Sequence, residues 1–216
     1  MSQKLLLEPA EPEVLTVEEL PVLTVGLQLP TYTGWQRFNR YYRRWEASFR
    51  RYCRTRLLPL AEAALHQAME TAGPLPQWQA SLTSTVTWQS PEVISLYTEM
   101  RLQGPGGIPT RRRGDTWCRG LPLTMAELFP RRAHWRRRVL SYAAGQIRQN
   151  PRLYPQDWQR RLVLSFRARR FYLTEEGLCF FYPAGTLSPT GAVTFCLPWD
   201  KEQGPVPPEQ PRQEPA

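Results

Sequence analysis

Arginines and aromatic residues alternate along "RFNRYYRRWEASFRRYCRTR", residues 37–56. Guanidinium groups grip phosphates and flat rings stack on bases, so this mixture could serve a single-stranded nucleic-acid platform. The spacing of the rings argues for another use. Trp35, Phe38, Tyr41, Tyr42, Trp45, Phe49, Tyr52, Cys53 and Leu57 recur at steps of three and four, which makes one apolar stripe of a helix. That stripe is the only face this helix has for docking, so its rings are expected in the core, whereas a stacking platform needs them exposed. The arginines fill the rest of the circumference. Arg37, Arg40, Arg44 and Arg51 are candidate anion-binding residues, together with Arg136 and Arg137 of "RRAHWRRR" (131–138).

A second group of residues could contact a ligand. "GPGG" (104–107) leads into "TRRRGD" (110–115), and a loop-rich stretch follows at 183–191. The candidate ligand-binding residues there are Gly106, Gly107, Arg111, Arg112, Arg113, Asp115, Tyr182 and Ser188. "GPGG" lacks the following Lys-Ser/Thr of a phosphate-binding P-loop, and reads as a flexible loop beside a binding surface. Catalytic chemistry finds little support. His66 and His134 have no motif nearby that supplies a nucleophile and an orienting carboxylate. Glu175 and Glu176 are adjacent and so point in different directions, as solvated turn residues do. Cys53, Cys118, Cys179 and Cys196 form no CxxC pair, so no metal or cofactor site is assigned. Cys179 and Cys196 lie in apolar, strand-like runs. Buried thiols and a disulfide across neighbouring strands are both open to them.

The chain has 216 residues and a formal charge of +9, and its only lysines are Lys4 and Lys201. Charge is uneven. Before residue 31 one lysine faces five glutamates, and from residue 200 two cations face four carboxylates, which leaves +15 for residues 31–199. Such a body attracts polyanions at long range, less so as salt rises. Hydrophobic residues at 41% suit a real core. No apolar run approaches a membrane span and no secretory signal is visible, so the expectation is a soluble, cytoplasmic chain.

The elements that position these residues follow from local pattern. Residues 1–20 are Glu- and Pro-rich and are expected to be mobile. "VLTVGLQLPTY" (22–32) alternates as a strand does. The arginine-rich helix follows, ending at Gly73, Pro74 and Pro76. Residues 78–104 read as two strands broken at "QSPE", with Leu82, Ser84, Val86 and Trp88 on one face. "GDTWCRG" (114–120) reads as a short strand or turn. Thr124 and Glu127 form a capping box. A helix over 131–149 puts Trp135, Val139, Tyr142, Ala143 and Ile147 on one face, and a short helix follows within 154–166. "FYLTEEGLCFFYP" (171–183) reads as a β-hairpin with Gly177 at a positive φ. "AVTFCLPW" (192–199) is a final strand, and residues 200–216 read as a disordered tail. Helices and strands do not alternate regularly. The fold class is therefore α+β, a mainly antiparallel sheet covered by two longer helices and one short helix. Residues 21–199 form one domain, with a strand-helix part over 22–76 and the remainder over 78–199.

"VISLYTEMRLQGPGG", "GDTWCRGLPLTMAELFP" and "FYLTEEGLCFFYPAGTLSPTGAVTFCLPW" together resemble a bacterial domain of unknown function. That domain occurs in membrane-bound anti-sigma factors that sense lysozyme and beside peptidoglycan deacetylase domains. The positions carrying the resemblance are Ser95, Gly106, Gly107, Leu123, Thr124, Leu128, Phe129, Phe171, Leu173, Gly177, Leu178, Phe180 and Pro183, with a fainter echo at Val25–Tyr32 and Asn39. The resemblance spans about residues 22–199. It implies a compact α+β unit without catalytic residues, which binds a protein or a cell-envelope ligand, and by the habit of that family an extracytoplasmic location. The alternative, from charge alone, is nucleic-acid or polyanion binding in the cytosol.

Overall fold

The computed structural model describes residues 4–104, 108–130, 134–200, 202 and 204–208. The fold is α+β, as expected. The chain divides into two compact units: residues 1–84 with 98–112, and residues 85–97 with 113–216. Three long strands, β5 (Trp78–Gln89), β6 (Val93–Gln103) and β7 (Ile108–Cys118), each supply residues to both units, so a cut in sequence order separates neither.

Unit 1 begins with β1 (Leu5–Leu6), β2 (Glu13–Val17), β3 (Leu20–Gln28) and β4 (Thr31–Tyr32). Residues 5–17, expected to be mobile, thus lie partly in strands. Leu15 and Val17 alternate with polar neighbours and pack on the core of the unit, an alternation overlooked among the glutamates. Strand neighbours run β2–β3–β5–β6–β7 in this unit. Every pair with a described register is antiparallel except β3–β5, where Leu23 faces Trp78 in a parallel pair. A parallel pair requires a long crossover. Here it is helix α1 (Gln36–Tyr52), a π-helical turn at Cys53–Leu57 and helix α2 (Leu58–Glu70), which run without interruption.

The crossover buries the expected stripe. Phe38, Tyr42, Phe49, Cys53 and Leu57 are buried, and Tyr41, Trp45 and Tyr52 are half-buried beside them. Rings of Tyr32, Trp35, Phe38 and Tyr42 meet at centroid distances of 4.4 to 6.4 Å. Asn39 sets the entry to the helix. Its amide donates to the Tyr32 carbonyl and its oxygen accepts from the Tyr32 N–H, both at 2.9 Å.

Unit 2 contains the remaining parts of β5, β6 and β7, followed by β8 (Leu121–Pro122), helix α3 (Trp135–Gln149), helix α4 (Trp158–Leu164), and a three-stranded sheet ordered β11–β10–β9, with β9 Phe171–Leu173, β10 Gly177–Tyr182 and β11 Val193–Pro198. The hairpin, the final strand and both helices agree with expectation. Cys179 and Cys196 face each other in register and form a disulfide. Gly177 is a correction. It has no positive φ and begins a strand; a Cβ there would meet the Leu197 carbonyl oxygen at 2.1 Å. Close backbone approach, rather than turn geometry, requires glycine. The same holds at Gly114, where a Cβ would lie 1.9 Å from the Phe171 carbonyl oxygen.

Buried hydroxyls join strands in this unit. The Ser95 and Thr116 hydroxyls are 2.8 Å apart, and Ser95 Oγ accepts from the Leu173 N–H at 2.8 Å. The Glu127 carboxylate accepts from the Thr124 N–H at 2.7 Å, as the capping box predicts, on a 3₁₀ turn at Met125–Leu128. Part of the expected disordered tail is packed: the Val206 N–H donates to the Leu128 carbonyl at 2.7 Å.

Candidate functional site

Helix α3 follows His134, whose φ of 66° turns the chain into the helix. Val139, Ala143 and Ile147 recur every four residues and are fully buried. Leu140 and Ala144, one step round the helix, are only half covered. Helix α4 lies beside them. It buries Trp158 and Leu162 but leaves Val163 and Leu164 at 47% and 60% exposure. An open groove of about 610 Å³ results. Leu140, Ala144, Trp158, Leu162 and Val163 give it an apolar floor, and Ser141 and Gln159 add hydrogen-bonding groups. Arg136 and Arg137 stand toward the N-terminal end of α3 and Arg148 near its C-terminal end, about 16 Å along the helix at 1.5 Å per residue. Among the described residues no carboxylate lines it. The groove suits an elongated ligand with an apolar side and negative charge near both ends.

The two groups of expected residues fare differently. Arg136 and Arg137 come together on the groove. Arg37, Arg40, Arg44 and Arg51 form a single exposed line on α1, in unit 1. Of the expected ligand contacts, Gly106 and Gly107 lie outside the described residues. Arg111 is exposed on β7. Arg112 donates to Glu99 at 2.7 and 3.0 Å, and Arg101 donates to the same carboxylate at 2.7 Å. Burial alone would raise the pKa of Glu99, but these guanidinium bonds outweigh it and hold the carboxyl below its ordinary range. Arg113 donates to Asp115 at 3.2 Å. Ser188 is half-buried, and its carbonyl accepts from the Gly185 N–H at 2.7 Å within its own loop.

Tyr182 belongs to the core. It is 1% exposed and donates its hydroxyl to the Leu162 carbonyl at 2.9 Å, and burial pushes its ionisation upward. Arg112 and the glycines precede residue 113 and so fall in unit 1 or outside description, whereas the 183–191 loop falls in unit 2. Sequence reasoning missed Leu140, Ala144, Arg148 and the α4 residues of the groove. The usable signal was "RLVLSF" (161–166), whose apolar residues are too many for one face of a short helix.

His66 lies on α2, 3.9 Å from Glu18, and both are at the surface. Among the described residues no three His, Cys, Asp or Glu side chains gather closely enough to hold a metal ion, and no helix is long and apolar enough to cross a membrane.

This α+β architecture has solved counterparts. No protein-family model matches the chain, and no curated protein matches it in sequence. In fold it is similar to a member of the DUF3298 family from Bacteroides fragilis, with a TM-score of 0.62 at 10% sequence identity, over 91% of this chain and 90% of that one. It is also similar to a DUF3298 family protein from Pseudomonas aeruginosa, with a TM-score of 0.51 at 14% identity over the same shares. At such identities the likeness concerns the fold, which is that of a bacterial domain of unknown function. The motif residues Ser95, Gly177 and Asn39 now have structural explanations in hydrogen bonding and close approach.

Proposed function

We propose that the chain is a non-enzymatic binding or sensory domain that captures an acidic segment of a protein partner in the α3–α4 groove. The observation that carries this reading is the apolar floor with arginines at both ends and, among the described residues, no lining carboxylate. An amphipathic helix lays apolar residues at i, i+3, i+4 and i+7 into such a groove, and flanking acidic residues meet the arginines. The Cys179–Cys196 bond supports an oxidising compartment, in keeping with the extracytoplasmic habit of the resembled family.

Calorimetric titration with an acidic amphipathic peptide tests the proposal, with peptidoglycan fragments as a second titrant. Binding of the peptide should weaken at least tenfold in Leu140→Glu and in Arg137→Glu. If peptidoglycan fragments bind and the peptide does not, the ligand is a cell-envelope component. If neither binds, the groove reading fails. A second reading, polyanion binding, is favoured by the arginine line on α1.

A further inference from the structure

Helix α1 holds six arginines against a single carboxylate, Glu46. At 3.6 residues per turn they fall on two lines. Arg43 and Arg50 share one, continued by Arg54 in the π-helical turn. Arg37, Arg40, Arg44 and Arg51 share the other, within about 60° of arc.

The first line is partly neutralised. Glu13 of β2 accepts from Arg50 and, at 2.7 Å, from Arg54; Glu46 accepts from Arg50 at 3.0 Å. The hydrogen bond from Arg54, reinforced by Arg50, holds the Glu13 carboxyl below its ordinary range despite some burial. The second line is exposed along its whole length, and no carboxylate lies within ion-pair distance of it among the described residues. It runs about 21 Å at 1.5 Å per residue. Ala47 and Ser48, small and exposed, leave the turn between Arg44 and Arg51 open to an approaching chain.

We propose that this line docks a linear phosphate polymer through its backbone, and that Glu13 holds Arg50 and Arg54 out of that contact. A row of guanidinium groups suits a chain with a phosphate at every linkage, because each fork can meet two phosphate oxygens. Phe38, Tyr42 and Phe49 are buried and Tyr41, Trp45 and Tyr52 half-buried, so the line presents guanidinium groups rather than open ring faces, and binding is independent of sequence. The inference stands apart from the groove: it concerns unit 1, and the groove lies in unit 2.

The test is fluorescence anisotropy of the full chain with a short labelled single-stranded DNA of mixed sequence, at several salt concentrations. Four phosphate contacts predict log affinity falling with log salt at a slope of about −3. Arg40→Gln with Arg44→Gln should halve the slope, while Arg136→Gln with Arg137→Gln should leave it unchanged. Inorganic polyphosphate should displace the DNA. Glu13→Gln should raise affinity severalfold, and adding Arg54→Gln should cancel that gain, although Arg54→Gln alone changes little. A wild-type slope in the Arg40/Arg44 variant with a native thermal transition overturns the proposal, as does a failure of polyphosphate to compete. An unchanged affinity in Glu13→Gln removes the role of Glu13.

Discussion

Helices α1 and α3 use similar residues and present different surfaces. Each sets arginines among aromatic and aliphatic side chains. On α1 the core of unit 1 covers most of the apolar stripe, leaving its rings buried or half-buried, and Arg37, Arg40, Arg44 and Arg51 face water. On α3 the core of unit 2 takes Val139, Ala143 and Ile147, while Leu140 and Ala144 lie on an open flank. Helix α4 adds apolar residues on both its inner and outer sides. Arginine beside apolar surface becomes a groove only where the apolar arc exceeds what the core covers. The difference therefore lies in the width of the arc, which residue composition does not report.

Four experiments would break or sharpen this comparison. The largest effect is expected for Phe38→Ala. Phe38 is fully buried, so truncation should cost about 3–5 kcal/mol by denaturant unfolding, against about 1 kcal/mol for Leu140→Ala on the open flank. Equal costs would mean that the groove floor is core. Next is Gly114→Ala. With Phe171 backbone in the way, it should cost about 3 kcal/mol and speed hydrogen exchange in β9, whereas Gly26→Ala, with no atom closer than 3.9 Å, should spare its surroundings.

Third, acid should loosen unit 1. Glu13 and Glu99 ionise below their ordinary value of 4.5 in the folded chain, so they bind fewer protons there than when unfolded. Their stabilisation is complete above that value and is lost as pH falls through the lower folded values. Exchange at β2 and β6 amides should rise there, and a flat profile would show that the ion pairs contribute nothing. Smallest is Arg44→Gln, which should shift stability by less than about 0.5 kcal/mol. A larger loss would mean that the exposed line has a structural partner.

Most of the fold was legible because local patterns and tertiary packing agree. The α1 stripe, the α3 face, the hairpin and the last strand all have periods that packing keeps. Three features were hidden for physical reasons. The β2 strand is short and sits among glutamates and prolines, and it is a strand because β3 pairs with it. Gly177 answers to a carbonyl twenty residues further on, which no turn rule can see. The units interleave because β5, β6 and β7 each serve two cores. Of the site, Arg136 and Arg137 were legible as charge. The floor between them and Arg148 was not, since it depends on where α4 lies.

The Cys179–Cys196 bond joins residues 17 apart, and the 183–191 loop lies wholly between them. That stretch is a covalent ring. A protease that nicks it adds one water to the mass of the chain and releases no fragment until a reductant is added. The loop can thus be cut and still held at both ends, and a digest compared with and without reductant would count the opened rings directly.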